Sequence, residues 1–131
     1  MRELISLVFR LYLYADLTKK IHYATEKSHI HKLCDEVRLS LTDFADNLAE
    51  QIFGFYGRPS KDLFPKLSSL DISDDLDLSG ICMKTSEMVE LLRQNVSSEP
   101  KLSGVVSLID DFKGQMAKYM FLATFDNVAN A

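Results

Sequence analysis

The sequence predicts an all-α protein folded as a single four-helix bundle. Four segments place apolar residues three and four positions apart, which is the period of an amphipathic helix, and no strand alternation or internal repeat competes with them. The 131 residues, 47% hydrophobic and 26% charged, suit one globular domain with a real core. The net charge of -4, without a run of Lys and Arg, argues against a dominant nucleic-acid surface.

The first predicted helix covers residues 2–23 and begins with an apolar stretch that could be mistaken for a signal peptide. No clear basic region precedes that stretch, and Glu3 and Asp16 bracket it. We therefore expect a helix of the mature protein and a cytoplasmic location. No apolar stretch reaches the eighteen or so residues that span a bilayer.

The second predicted helix covers residues 28–53, with Ser28 as its N-cap and Gly54 as its end. The third covers residues 80–96 and the fourth residues 101–125. The predicted core of the second helix is a stripe of apolar residues, namely Ile30, Leu33, Val37, Leu41, Phe44, Leu48 and Ile52. Cys34 and Cys82 also lie in apolar helical patterns, so we expect both to be reduced and buried.

The lengths of the connections predict the topology. Short loops make the first and second helices antiparallel, and likewise the third and fourth. Between these pairs lies one long crossover, residues 54–79, in which Leu63, Phe64, Leu67 and Leu70 suggest one short helix. The second and third helices are then parallel, which is the ferritin-like arrangement rather than an up-down-up-down bundle.

A polar stripe follows the second helix beside its apolar one. His31 and Asp35 are four residues apart, and Asp46 and Glu50 repeat that step. The eleven residues from Asp35 to Asp46 turn the helix by about 1100°, which returns to the same side within roughly 20°. Imidazole and carboxylate together suit iron, although an ordinary solvated helix face is the alternative explanation of the stripe.

Distance limits what this stripe can bind. Asp35 and Asp46 are about 16 Å apart, and His31 and Glu50 about 28 Å apart, on a helix that rises roughly 1.5 Å per residue. Two copies of the helix packed antiparallel across a two-fold axis bring the histidine end of one copy to the carboxylate end of the other. His22 on the first helix adds a third ligand to the histidine end.

A di-iron site inside one bundle is excluded. Such a site takes a Glu-x-x-His step from each of two helices and a Glu from each of the others. The third and fourth predicted helices contain no histidine, because His22, His29 and His31 all lie at the first corner. We expect His29 to be a solvated corner residue.

The segment His22-Tyr23 … His31-x3-Asp35 … Asp46-x3-Glu50 resembles the ferroxidase motif of Dps, the DNA-protecting ferritin-like proteins of starved bacteria. It is especially similar to the short Dps-like proteins of bacteriophage genomes. The resemblance implies an iron-storing homo-oligomer, a dodecamer, that oxidises Fe(II) and protects against peroxide. It implies metal-ligand roles for His22, His31, Asp35, Asp46 and Glu50, at mono-iron or di-iron sites. No Lys-rich tail precedes the first helix, so we expect weak or absent DNA binding, and no membrane partner.

A function from a different class stays open at this stage. A ferritin-like bundle without catalytic activity would serve as a structural or interaction component, for instance of a phage particle. The state of assembly and the response to iron distinguish the two functions.

Overall fold

The computed structural model describes residues 2–65 and 70–125, and those residues form four α-helices without a strand. The elements are α1 (Arg2–Ala24), α2 (Ser28–Tyr56), a 3-10 turn at Lys61–Leu63, α3 (Leu78–Val96), a 3-10 turn at Pro100–Leu102 and α4 (Ser103–Leu122). The predicted all-α class with four helices is confirmed.

The end of α2 differs from the prediction. The helix continues through Gly54 to Tyr56, two residues after the expected stop. Gly57 ends it instead: its φ of 88° lies in the left-handed region, and its N–H donates to the Phe53 carbonyl at 2.8 Å. Gly54 keeps helical geometry because glycine weakens a helix interior without forbidding it.

The other helix boundaries move by a few residues. Lys27, rather than Ser28, holds the N-cap position of α2 and makes no side-chain cap. α3 begins two residues early because the Asp77 carboxylate accepts a hydrogen bond from the Gly80 N–H at 2.8 Å and so caps it. α4 begins after the turn at Pro100–Leu102 and ends at Leu122.

The structure describes the segment between α2 and α3 except for residues 66–69, on which part of the predicted short helix falls. Its described part includes the turn Lys61–Leu63, which starts where the Ser60 hydroxyl accepts from the Asp62 N–H. Phe64 follows, half-exposed, with its ring centroid 6.1 Å from that of Phe9 on α1. Leu67, part of the predicted short helix, lies outside the described residues.

Side-chain contacts fix the directions of α1, α2 and α4. His22 near the end of α1 meets His31 near the start of α2, so these helices are antiparallel. Along α2 and α4, Phe44 stacks on Phe112 with ring centroids 4.1 Å apart, and Gln51 lies against Gly104 at the start of α4. The contacts run in opposite directions along the two helices, so α2 and α4 are antiparallel too.

Two further pairs of neighbours close the bundle. Arg93 late in α3 binds Asp110 early in α4, whereas Glu90 binds Lys113 one turn later, so α3 and α4 are antiparallel. A groove between α1 and α3 is lined near the start of α1 by Leu4 and near the end of α3 by Asn95.

The core lies along the axis of this ring of helices. Every residue of the predicted α2 stripe is buried except Ile30, which is half-buried. Cys34 and Cys82 are buried and free, as predicted, and burial raises the pKa of Cys34 to about 11 and that of Cys82 to about 12. These thiols pack as small apolar groups. Among the residues described, no helix combines the length and hydropathy required to cross a membrane.

Candidate functional site

Two histidines lock the corner between α1 and α2. The His22 Nδ1 donates to the His31 carbonyl at 2.7 Å, and the His31 Nδ1 donates to the His22 carbonyl at the same distance. The two imidazole rings stack with centroids 3.7 Å apart and planes inclined by 23°. We call this arrangement the histidine clamp.

The clamp decides which ring nitrogen remains available. A carbonyl oxygen can only accept, so each Nδ1 carries the proton, and in the neutral ring each Nε2 is then an acceptor with a free lone pair. Histidines that bind metals use the same device, donating the other ring N–H to a carbonyl or carboxylate. Each Nε2 lone pair lies in the plane of its own ring, and the two rings are stacked with centroids 3.7 Å apart, so the lone pairs do not converge on one ion within the ~2 Å of a metal–nitrogen bond.

Asp35 lies beside the clamp but is held by cations. Its Oδ1 is 3.2 Å from the Lys19 Nζ, 3.7 Å from the Arg38 Nε and 4.0 Å from the His22 Nδ1. The hydrogen bond from Lys19, followed by the charges of His22, Lys19 and Arg38, lowers the pKa of Asp35. Because Asp35 faces the Nδ1 edge of His22, it lies away from the Nε2 that could bind a metal.

Asp46 has a different kind of partner. The Tyr12 hydroxyl of α1 donates a hydrogen bond to the Asp46 Oδ1. Burial, then this hydrogen bond and the charges of Asp46 and Glu50, raises the pKa of Tyr12 to about 12. The phenol therefore stays a neutral donor throughout the physiological range. Glu50 lies one turn further along α2, exposed to solvent.

The expected ligands thus form two groups at opposite ends of one helix face. His22, His31 and Asp35 meet at the corner, whereas Asp46 and Glu50 lie near Tyr12. α2 is continuous between them, so the separation of about 16 Å between Asp35 and Asp46 holds. Among the described residues, no group of three or more His, Cys, Asp or Glu side chains could hold a metal within one chain.

The face between the two groups is partly apolar. Leu39, midway along the stripe, exposes 55% of its surface, and Thr42 beside it is half-buried. Tyr23 is 75% exposed at the corner, with its ring centroid 5.2 Å from that of His22.

One expectation about the corner is wrong, and one sequence feature there needs detail. His29 is not a solvated residue: it is half-buried, and its Nε2 lies 3.4 Å from the Ala123 carbonyl because the end of α4 reaches the start of α2. Glu26 and His29 form a Glu-x-x-His step, but Glu26 precedes α2, so the pair does not lie on one helical turn.

The sequence interpretation missed Tyr12, Lys19 and Arg38 as neighbours of the stripe. A usable signal exists for two of them. In antiparallel helices joined by a short corner, residues nearly equidistant from the corner face each other, because both helices rise equally per residue. Lys19 and Asp35 lie seven and nine residues from residue 26, the centre of the corner, and Arg38 follows Asp35 by three residues on the same helix. The Tyr12–Asp46 pair, 14 and 20 residues from that centre, departs from this symmetry.

No protein-family model, curated protein or solved structure matched this chain in the comparisons.

Proposed function

We propose that this protein binds Fe(II) at two identical sites between two copies of the chain, and oxidises and stores it as the Dps-type ferritin-like proteins do. The histidine clamp carries the proposal. It fixes two imidazoles in the tautomer that leaves each Nε2 free, which is the arrangement that metal-binding histidines need. The site would serve to remove Fe(II) and peroxide in the cytoplasm of a bacterium, encoded by the cell or by a phage.

The directions of the helices support a ferritin-like fold. α2 and α3 are each antiparallel to α4, so they are parallel to each other. A chain that leaves the end of α2 must then return along the bundle before α3 begins at Leu78. One long crossover between two antiparallel pairs is the ferritin-like arrangement.

The separation of the two ligand groups supports an inter-subunit site. Neither end of α2 supplies both imidazoles and carboxylates free of cationic partners. An antiparallel second copy of α2 would bring Asp46 and Glu50 of that copy to the clamp and repeat the site at the other end. Leu39 would lie near the two-fold axis, where its 55% exposed side chain would be covered.

The donor set suits iron as the substrate. Imidazole nitrogen and carboxylate oxygen bind iron, and the charges of Asp46 and Glu50 favour the ferric product. The nearly parallel planes of His22 and His31 favour two ion positions with one imidazole each, that is, a di-iron rather than a mono-iron site. Asp35 would join only after release from Lys19 and Arg38.

Mixed dimers test where the ligands come from. Chains with His31→Ala and chains with Glu50→Ala, co-expressed with different tags and purified together, should regain ferroxidase activity, because one of the two sites in each dimer is intact. Ferric absorbance after addition of Fe(II) with peroxide or dioxygen is the measurement. Each variant alone should be inactive.

The matched control is the double variant His31→Ala/Glu50→Ala paired with the wild-type chain. This pair carries the same two substitutions, but both on one chain. If the sites lie between subunits, each of the two sites then lacks one ligand and the dimer is inactive. If the sites lie within one chain, the wild-type copy remains active. Activity in this control and none in the trans mixture would contradict the proposed assembly. A wild-type protein without any iron-dependent signal would contradict the function itself.

A second candidate is an inactive interaction module, for instance a component of a phage particle. The observation in its favour is that Lys19 and Arg38 already neutralise Asp35, while Leu91 and Met83 on α3 are 65% and 55% exposed. A closed shell of twelve subunits would favour iron storage. A monomer, or an open ring bound to other proteins, would favour the interaction module.

A further inference from the structure

The two aspartates of the stripe are held by chemically different donors. Lys19 and Arg38 place positive charge against Asp35. Asp46 receives its hydrogen bond from the Tyr12 hydroxyl, which orients the carboxylate without neutralising it. A cation arriving at Asp35 must displace like charges, whereas a cation arriving at Asp46 meets an oriented carboxylate with its full charge.

Tyr12 is itself well placed to act as a fixed support. It is half-buried on α1, and its ring centroid lies 6.0 Å from that of Phe9, which in turn contacts Phe64. A phenol packed in this way can hold an exposed carboxylate in one rotamer. The hydrogen bond occupies Oδ1, so Oδ2 and the neighbouring Glu50 remain for a ligand.

We propose that Tyr12 is a positioning residue for divalent-cation binding at Asp46 and Glu50. The hydroxyl aims the Asp46 carboxylate and leaves its charge intact. This inference rests on the proposed function, since it deepens the carboxylate half of the same site. The partner of a metal-binding carboxylate typically changes metal affinity by 10–100-fold when removed.

The probe is Zn²⁺, a redox-inert ion, titrated into the full-length protein by calorimetry. Tyr12→Phe removes the hydroxyl and keeps the ring, so we expect zinc binding to weaken by about 10-fold or more with little change in the thermal midpoint. Tyr119→Phe is the matched control, because that hydroxyl lies 2.9 Å from the Ser40 hydroxyl, between α2 and α4. It should leave zinc affinity unchanged.

A double-mutant cycle separates positioning from general structural damage. In an Asp46→Ala background, Tyr12→Phe should cause no further loss of zinc affinity, because the carboxylate it aims is gone. An equal loss in both backgrounds, or wild-type affinity in Tyr12→Phe, would overturn the positioning role alone. Failure of the wild-type protein to bind zinc would overturn both this role and the proposed metal site.

Discussion

The α1–α2 seam and the α3–α4 seam are both built from antiparallel helices with short corners, yet they treat their charged groups differently. Across α3 and α4, Arg93 binds both oxygens of Asp110 at 2.7 and 3.2 Å, and Lys113 binds Glu90 at 2.5 Å. Each charge there has an opposite partner. These pairs satisfy one another, so they hold register and offer nothing to a ligand.

The α1–α2 seam also has an ion pair, between Lys19 and Asp35, but it supports the other residues of the stripe with neutral and backbone partners. In the clamp, the Nδ1–H groups of His22 and His31 donate to main-chain carbonyls, and the Tyr12 hydroxyl donates to Asp46. Acceptors therefore remain on this face after the fold is complete. The two seams therefore differ in how their polar groups are partnered, and the proposed binding face is the one that keeps acceptors available.

Removing a clamp histidine should give the largest contrast between the seams. In His31→Ala we expect Fe(II) and zinc affinity to fall by more than about 100-fold. Replacing a residue that only hydrogen-bonds to a metal ligand already lowers metal affinity by about 10–100-fold, and His31 is a proposed ligand itself. Arg93→Ala, which removes an equally well-bonded side chain from the α3–α4 seam, should leave affinity unchanged. Calorimetric titration of both variants provides the test, and equal losses of affinity would show that the two seams do not differ in metal binding.

Removing the cation on Asp35 should have a smaller effect of opposite sign. Lys19→Gln removes the ammonium group that lies 3.2 Å from the Asp35 carboxylate and repels an approaching divalent cation. We therefore expect metal affinity to rise by about 2- to 10-fold at physiological salt. Lys113→Gln removes the same charge from the other seam and should not change affinity. The gain should shrink at high salt. Weaker binding in Lys19→Gln would show that Lys19 supports the site.

Acid should reveal the smallest effect, on the stability of the α3–α4 seam. The hydrogen bond and charge of Arg93 hold the pKa of Asp110 below its ordinary range. The bound carboxylate therefore stabilises the fold above about pH 4, the unfolded value, and this stabilisation is lost as pH falls through the lowered pKa. Thermal midpoints of wild type and Asp110→Asn should differ slightly at pH 7 and converge below pH 4. A gap that persists in acid would assign the loss to packing.

The sequence predicted the helices better than it predicted the side-chain contacts between them. The apolar period of α2 identified its buried residues, from Leu33 to Ile52, because period and burial have the same physical origin. The predicted end of α2 at Gly54 was wrong, because the helix ends at Gly57, which has a positive φ. The residue type alone does not tell which of two nearby glycines adopts that backbone angle. Lys19 and Tyr12, which pair with Asp35 and Asp46, belong to α1, so predicting them required the register of the two helices across the corner.

The candidate site shows the same limit. His22 and His31 were predicted to lie together, and they do, but spacing alone could not reveal that their rings face each other's main chain. The direction of each ring depends on the side-chain rotamers of His22 and His31, which the packing of the corner determines. Whether a second copy completes the site also lies beyond what one chain's spacing can decide, because it depends on a surface such as that around Leu39.

The clamp also has a consequence for how such a centre changes over generations. Each ring is held by the other residue's carbonyl, which every amino acid carries, so replacing one histidine does not release the other. Either imidazole can therefore be gained or lost without removing the hydrogen-bond acceptor of the other. The corner thus permits substitutions at positions 22 and 31 in either order, because each hydrogen bond needs one histidine side chain and one main-chain carbonyl.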